Sequence, residues 1–96
     1  MSQAASRWKV DEHVRFRRLF DEGVVIHQDQ VEALVLNDTA LRFLELCDGK
    51  RSVDDIIAQM VGEFEVEESE LSSDLQRLIA ELEQGGIIVP VRESGK

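Results

Sequence analysis

Val53, Ile56, Ile57, Met60, Val61 and Phe64 recur with the 3.6-residue period of one helical face. A strand cannot bury such a set, because successive strand side chains point to opposite faces. Ser52 stands at the head of the run with Asp55 three residues on, an arrangement in which each side chain satisfies a free backbone N–H of the other. Residues 52–64 are therefore committed to a helix with a stripe that must be packed. Two further stripes flank it. Ala40, Phe43, Leu44 and Cys47, widened by Leu41 and Leu46, follow the start signal Asn37-Asp38-Thr39 and are closed by Asp48-Gly49. Leu71, Leu75, Leu78, Ile79 and Leu82 mark a third helix from about residue 69 to Gln84, stopped by Gly85-Gly86.

The pattern before residue 37 has a different period. V-R-F-R-R-L-F-D at 14–21 alternates as a strand, and Leu19-Phe20 interrupts the alternation, which predicts a bulge or register change. Glu22-Gly23 reads as a turn in which Gly23 supplies a positive φ. Val24-Val25-Ile26 is a β-branched second strand, Gln28-Asp29-Gln30 a polar connection, and V-E-A-L-V-L at 31–36 a third strand. Trp8 and Val10 can pin the first strand to the body, and Ile87-Ile88-Val89 can return to the core, with Pro90 confining it to an edge. Strands segregated from helices make an α+β fold: a winged-helix-like arrangement in which a three-stranded antiparallel sheet is followed by a three-helix cluster. Ninety-six residues suit one domain, placed at 11–91 between a flexible arm at 1–10 and a tail at 92–96.

Charge and residue inventory exclude several function classes. Residues 52–96 carry three basic against eleven acidic residues, and the third helix sets Arg77 against Glu70, Asp74, Glu81 and Glu83. A recognition helix of that sign repels phosphate, so a winged-helix DNA-binding regulator is a poor alternative, and an anionic membrane is an equally poor partner. Cys47 is the sole cysteine and lies on an apolar stripe, which makes it an inert buried thiol rather than a nucleophile. His13 and His27 lack the partners of a metal or base site and suit a surface or hairpin end. The acidic run Glu63, Glu65, Glu67, Glu68, Glu70 lacks calcium-loop order and reads as solvated. No catalytic set, metal site or cofactor cradle is read from the sequence. The absence of a signal-peptide pattern and of paired cysteines leads to the expectation of a cytoplasmic protein.

A meander that passes directly into helices leaves one outer strand unpaired. Val31, Glu32, Ala33, Leu34, Val35 and Leu36 would then present free N–H and C=O groups, onto which an extended peptide can add as a fourth strand. Leu75, Leu78, Ile79 and Leu82 of the third helix give a natural second wall. Physics leaves two other readings open. All of that stripe is core and the N-terminal arm covers the edge, or two edges pair in a homodimer and the domain is a structural dimerisation module.

L-V-L-N-D-T-A-L-R-F-L-E-L-C-D-G-K-R-S-V-D-D-I at 34–56 resembles the signature stretch of the PqqD-like family, named for coenzyme PQQ synthesis protein D. The pieces are Leu36-Asn37 ending a strand, Thr39-Ala40 opening a helix, Leu46 and Asp48-Gly49 closing it, and Arg51-Ser52-Val53 with Ile56 starting the next. L-x-x-x-G-I-I from Leu82 to Ile88 fits as well, so the resemblance covers residues 14–89. It implies a non-catalytic peptide-binding module similar to the RiPP recognition element, which holds the leader of a ribosomally made precursor peptide and presents it to a radical SAM maturase. Carried onto this chain, it implies leader contacts with the backbone of 31–36 and with side chains of Leu75, Leu78, Ile79 and Leu82. Where PQQ-pathway members carry a Tyr-Pro-Glu-Gly hairpin, this chain has His27-Gln28-Asp29-Gln30. The implied pathway is therefore PQQ biosynthesis or a related peptide maturation.

Overall fold

The computed structural model of the chain describes residues 7–30 and 33–91. The elements run β1 (Arg7–Val10), β2 (Val14–Leu19), β3 (Glu22–His27), β4 (Ala33–Asn37), α1 (Asp38–Leu46), β5 (Asp48–Ser52), α2 (Val53–Phe64), α3 (Glu68–Gln84) and β6 (Ile88–Pro90). The expected meander is present as an antiparallel sheet in the order β2-β3-β4. A second antiparallel sheet, in the order β5-β1-β6, was not expected. It uses Arg7–Val10, assigned above to a flexible arm, as its central strand. Pro90 sits on an edge strand, as its missing N–H requires. The fold class stands as α+β, while the likeness to a winged helix is loose, because the two sheets flank the helices separately.

The hairpin corrects two expectations. Register runs unbroken from Val14↔His27 to Leu19↔Glu22, so no bulge interrupts β2, and the turn is Phe20-Asp21, not Glu22-Gly23. Phe20 takes the left-handed conformation at φ 60°. Gly23 lies within β3 for a steric reason: a Cβ there would stand 2.5 Å from Leu41 Cδ1. α1 crosses the sheet at that point, and Leu41 has no exposed surface. Residues opposite each other share a face. Val14, Phe16, Val25 and Leu36 thus look toward the helices, while Arg15, Arg17, Leu19, Val24, Ile26 and Val35 look outward.

The helices begin where their caps dictate. The Asn37 side chain accepts from Ala40 N–H at 2.9 Å, and Ser52 and Asp55 form a reciprocal capping box. α2 ends with Glu65 in the left-handed region. Phe43, Leu44, Ile56, Met60, Leu75, Leu82 and Ile88 fill the core with Val25 from the sheet and Trp8 from β1. An ion-pair chain ties α2 through α1 to β2. Arg42 donates to both carboxylate oxygens of Glu63 at 2.9 Å and to Glu45 at 3.2 Å; Arg18 donates to Glu45 at 3.1 Å and to Asp38 at 2.9 Å. The Arg42 guanidinium holds the Glu63 carboxyl down at about 2, and Arg18 with Arg42 holds Glu45 below its ordinary value. His13 and His27 meet at the open end of the hairpin with rings stacked 6.4 Å apart, both facing Asp11.

Candidate functional site

The hydrogen-bond phase of the sheet decides what its outer edge offers. Gln28 N–H donates to His13 C=O at 2.8 Å. Bonded pairs alternate along an antiparallel ladder, so Arg15/Ile26, Arg17/Val24 and Leu19/Glu22 are the bonded pairs between β2 and β3. Gly23 and Val25 therefore turn their peptide groups toward β4, where they meet Leu36 and Leu34. Ala33 and Val35 turn theirs the other way, and among the described residues no strand lies beyond β4. Each presents one N–H and one C=O along an open edge.

Side chains complete the site. Leu34 points to the helix side of the sheet yet keeps 43% of its surface exposed. Where β4 passes into α1, a cleft of about 280 Å³ separates that junction from α3. Asn37, Thr39 and Ala40 form one wall, Leu75 and Leu78 the apolar part of the other, and Asp74, Arg77 and Glu81 its rim. Arg77 is already held by Asp74 at 2.7 Å. A neighbouring cleft of about 430 Å³ continues round Asn37 and Thr39 to Val35, Asp21 and Glu22. Both are open troughs, suited to side chains of an extended chain rather than to enclosing a small substrate.

The residues expected from sequence divide into groups. Ala33, Leu34 and Val35 lie on the exposed edge; Leu78 lines the cleft half-buried, with the fully buried Leu75 as its floor; Ile79 is half-buried on the same helix. Leu36 and Leu82 are buried core. Val31 and Glu32 lie outside the described residues, as do 1–6 and 92–96 of the expected arm and tail. Sequence reasoning missed the rim residues Asp74, Arg77 and Glu81 and the cap residues Asn37, Thr39 and Ala40 as cleft walls. Helix periodicity marked Leu75 and Leu78, but which polar neighbours frame them is set by how α3 lies against the β4–α1 junction.

Burial pushes the Cys47 thiol up to about 12, so it stays protonated at neutral pH. Among the described residues no three His, Cys, Asp or Glu side chains converge as a metal site, and no helix is long and apolar enough to cross a membrane.

Comparison with known proteins identifies the family. The family described as "Coenzyme PQQ synthesis protein D (PqqD)" matches residues 22–88. A "PqqA binding protein" of Rhodopseudomonas palustris (strain BisB5) is 33% identical over 94 residues, covering 94% of this chain and 88% of that protein. Its counterpart in strain HaA2 is 30% identical over 92 residues, covering 92% and 86%. Among solved structures, "TbiB1 in Complex with the TbiA(beta) Leader Peptide" superposes with a TM-score of 0.77 at 18% identity, covering 88% of this chain and 99% of that one. "Lasso peptide synthetase B1 complexed with the leader peptide" does so with 0.75 at 21% identity, covering 88% and 100%. At these identities the structures establish the shared fold. The family match, spanning both the open β4 edge and the α3 wall, and the relatives of nearly equal length together place this chain in the PqqD family.

Proposed function

We propose that the chain is a non-catalytic peptide chaperone: it takes the leader of a ribosomally made precursor peptide as a fourth strand on β4 and presents it to a radical SAM maturation enzyme. The observation that carries this reading is the edge itself, where Ala33 and Val35 direct their N–H and C=O groups outward, with an open trough of mixed polar and apolar lining at the end of the strand. A leader strand pairing there makes main-chain bonds to both residues, whatever its sequence. Its side chains alternate, and every second one lies on the Leu34 side of the sheet, toward the helices. The half-buried Leu78 and Ile79, over the buried Leu75, select apolar residues at those positions, while Asp74, Arg77 and Glu81 set the polarity of the flanks. Leu36 and Leu82 act from beneath, as core that holds strand and helix apart.

The names of the curated relatives, which say that those proteins bind PqqA, support a PqqA-type precursor as the ligand. The leader-peptide complexes of the structural neighbours support the same use of this fold. The chain supplies no reacting group in this role. Its work is to convert a flexible leader into an ordered strand and so raise the local concentration of the attached core peptide at the enzyme.

The test is an amide chemical-shift titration of labelled chain with the leader of the precursor encoded beside its gene. Shifts concentrated in residues 33–37 and 74–82 are expected. A saturating titration whose shifts fall instead on β5, β1 and β6, or no shift at millimolar peptide from a monomeric chain, would overturn the reading.

A further inference from the structure

The outward face of the β2-β3-β4 sheet touches the clefts just described at Glu22, Val35 and Asn37, and the composition of the face as a whole is unusual for a solvated one. Its cross-strand rows read Arg15–Ile26–Ala33, Arg17–Val24–Val35 and Leu19–Glu22–Asn37. Ile26 is 50% exposed and Val35 61%, and Phe20 at the hairpin tip is 95% exposed. Of the six large hydrophobic residues left exposed among the described residues, Leu19, Phe20, Ile26 and Val35 lie on this face or at its tip. Contiguous apolar surface of this kind on a small domain marks an interaction site.

The cations of the face are as informative. Arg18, Arg42, Arg51 and Arg77 each sit on a carboxylate. Arg15 donates only to the backbone carbonyls of Glu12 and Val14, and Arg17 has no ion pair among the described residues. A chain with 20 acidic and 11 basic residues has carboxylates to spare, yet leaves these two guanidinium groups uncompensated on the one sheet face that is also apolar. Phe20 adds a backbone signal. A bulky side chain at φ 60° is strained, and the Arg18 guanidinium holds its carbonyl at 3.0 Å. An aromatic kept in such a conformation at a projecting tip is suited to anchor in a partner's pocket.

Resting on the chaperone reading above, we propose that this outer face docks the maturation enzyme, through an enzyme surface that is apolar at its centre and rimmed by carboxylates. Charge complementarity selects that occupant: carboxylates satisfy Arg15 and Arg17, whereas a second copy stacked on the same face by a two-fold axis brings four unpaired guanidiniums together. Geometry ties the face to presentation. A leader strand on β4 lies about 4.8 Å beyond it and turns every second side chain outward beside Val35. An enzyme seated on this face therefore meets the leader directly, without entering the groove.

The experiment titrates wild type, R15E/R17E and I26S with two probes by calorimetry: the leader peptide alone, and the radical SAM enzyme encoded with it, leader absent. Both variants lie on exposed positions, and an unchanged amide spectrum away from the substitutions verifies folding. Enzyme affinity is expected to fall by at least about ten-fold in each variant, with leader affinity within about two-fold of wild type. Wild-type enzyme binding is also expected to weaken with salt, and that of R15E/R17E is not. Enzyme affinity unchanged in both variants would overturn the proposal. So would a wild-type dimer by light scattering that either variant dissolves, which would give the face to a second copy. Failure of wild type to bind the leader would instead count against the groove, since the enzyme titration reads the outer face alone.

Discussion

Proline at position 35 removes one N–H from the open edge and nothing from the sheet behind it. The Val35 peptide faces away from β3, so Val35→Pro breaks no bond of the β3–β4 ladder. Edge strands tolerate proline at such positions, and the preceding Leu34 is already extended, as a residue before proline must be. The fold should survive with a stability change below about 1 kcal/mol, or a Tm shift within about 4–8 °C for a chain of this size. Leader binding should not survive equally well. A strand added to β4 loses one N–H···O bond and leaves its own carbonyl facing a proline ring in a partly shielded trough, at a cost of about 1–3 kcal/mol. That corresponds to about a 5- to 150-fold rise in Kd. Ala33→Pro tests the other outward peptide. Val24→Ala is the control: it trims an outward side chain one strand back from the edge, leaves every edge N–H in place, and should leave Kd within about two-fold. Leu34→Pro is the opposite control, removing the bond to Val25 and destabilising the sheet itself. Fluorescence anisotropy of a labelled leader, with far-UV circular dichroism on each variant, reads all four. If Val35→Pro and Ala33→Pro both fold and bind the leader as wild type does, the added strand is not on β4.

Three further outcomes follow from the packing and the charges. Gly23→Ala should cost about 1–3 kcal/mol in urea unfolding, because its methyl group meets the fully buried Leu41 side chain 2.5 Å away; an unchanged midpoint would show that α1 can lift off the sheet freely. Glu63 and Glu45 have depressed folded-state values, so the Arg42 and Arg18 network contributes stability that is present above the ordinary carboxylate value of 4.5 and is lost as pH falls toward about 2. The Tm gap between wild type and Arg42→Gln should accordingly shrink as pH falls from about 5 to about 2, and a gap constant with pH would mean that Arg42 acts through packing alone. Cys47, its thiol raised to about 12, should resist iodoacetamide at pH 8 in the native chain and react promptly in denaturant; equal rates would place the thiol at the surface.

Local pattern revealed those parts of the fold that local pattern controls. The α2 stripe and its Ser52–Asp55 box specify a helix on their own, and Val24-Val25-Ile26 specifies a strand. β5 reads D-G-K-R-S and has no strand signature; it is extended because β1, some forty residues earlier in the chain, lies beside it. Such pairing is invisible to a window of a dozen residues. Gly23 shows the same limit from the other side. Its residue type suggested a turn, but it serves a helix that crosses the sheet, a contact that only the tertiary arrangement reveals. At the site, the edge was legible because a meander's last strand has one neighbour. The α3 wall was legible only as a stripe. Periodicity could not separate Leu82, which is core, from Leu78, which borders the cleft.

An edge that accepts a foreign strand also accepts its own copy, and the chain must suppress the second without closing the first. β4 is five residues long, which limits the bonds any partner gains. Charge provides a second guard. Each copy carries −9, so two copies repel as their edges approach. The two guards differ in salt dependence. Screening acts within about 10 Å at 0.1 M salt and about 3 Å at 1 M, whereas strand length is indifferent to it. The chain should therefore run as a monomer by light scattering in dilute buffer. In about 1 M sodium chloride its mass should rise reversibly with concentration, and Val35→Pro should abolish the rise by removing the edge donor. A mass that stays monomeric at every salt concentration would mean that charge is not the guard. The short edge and the shape of the trough would then suffice, and selectivity for the leader would rest on the side chains that Leu75 and Leu78 admit.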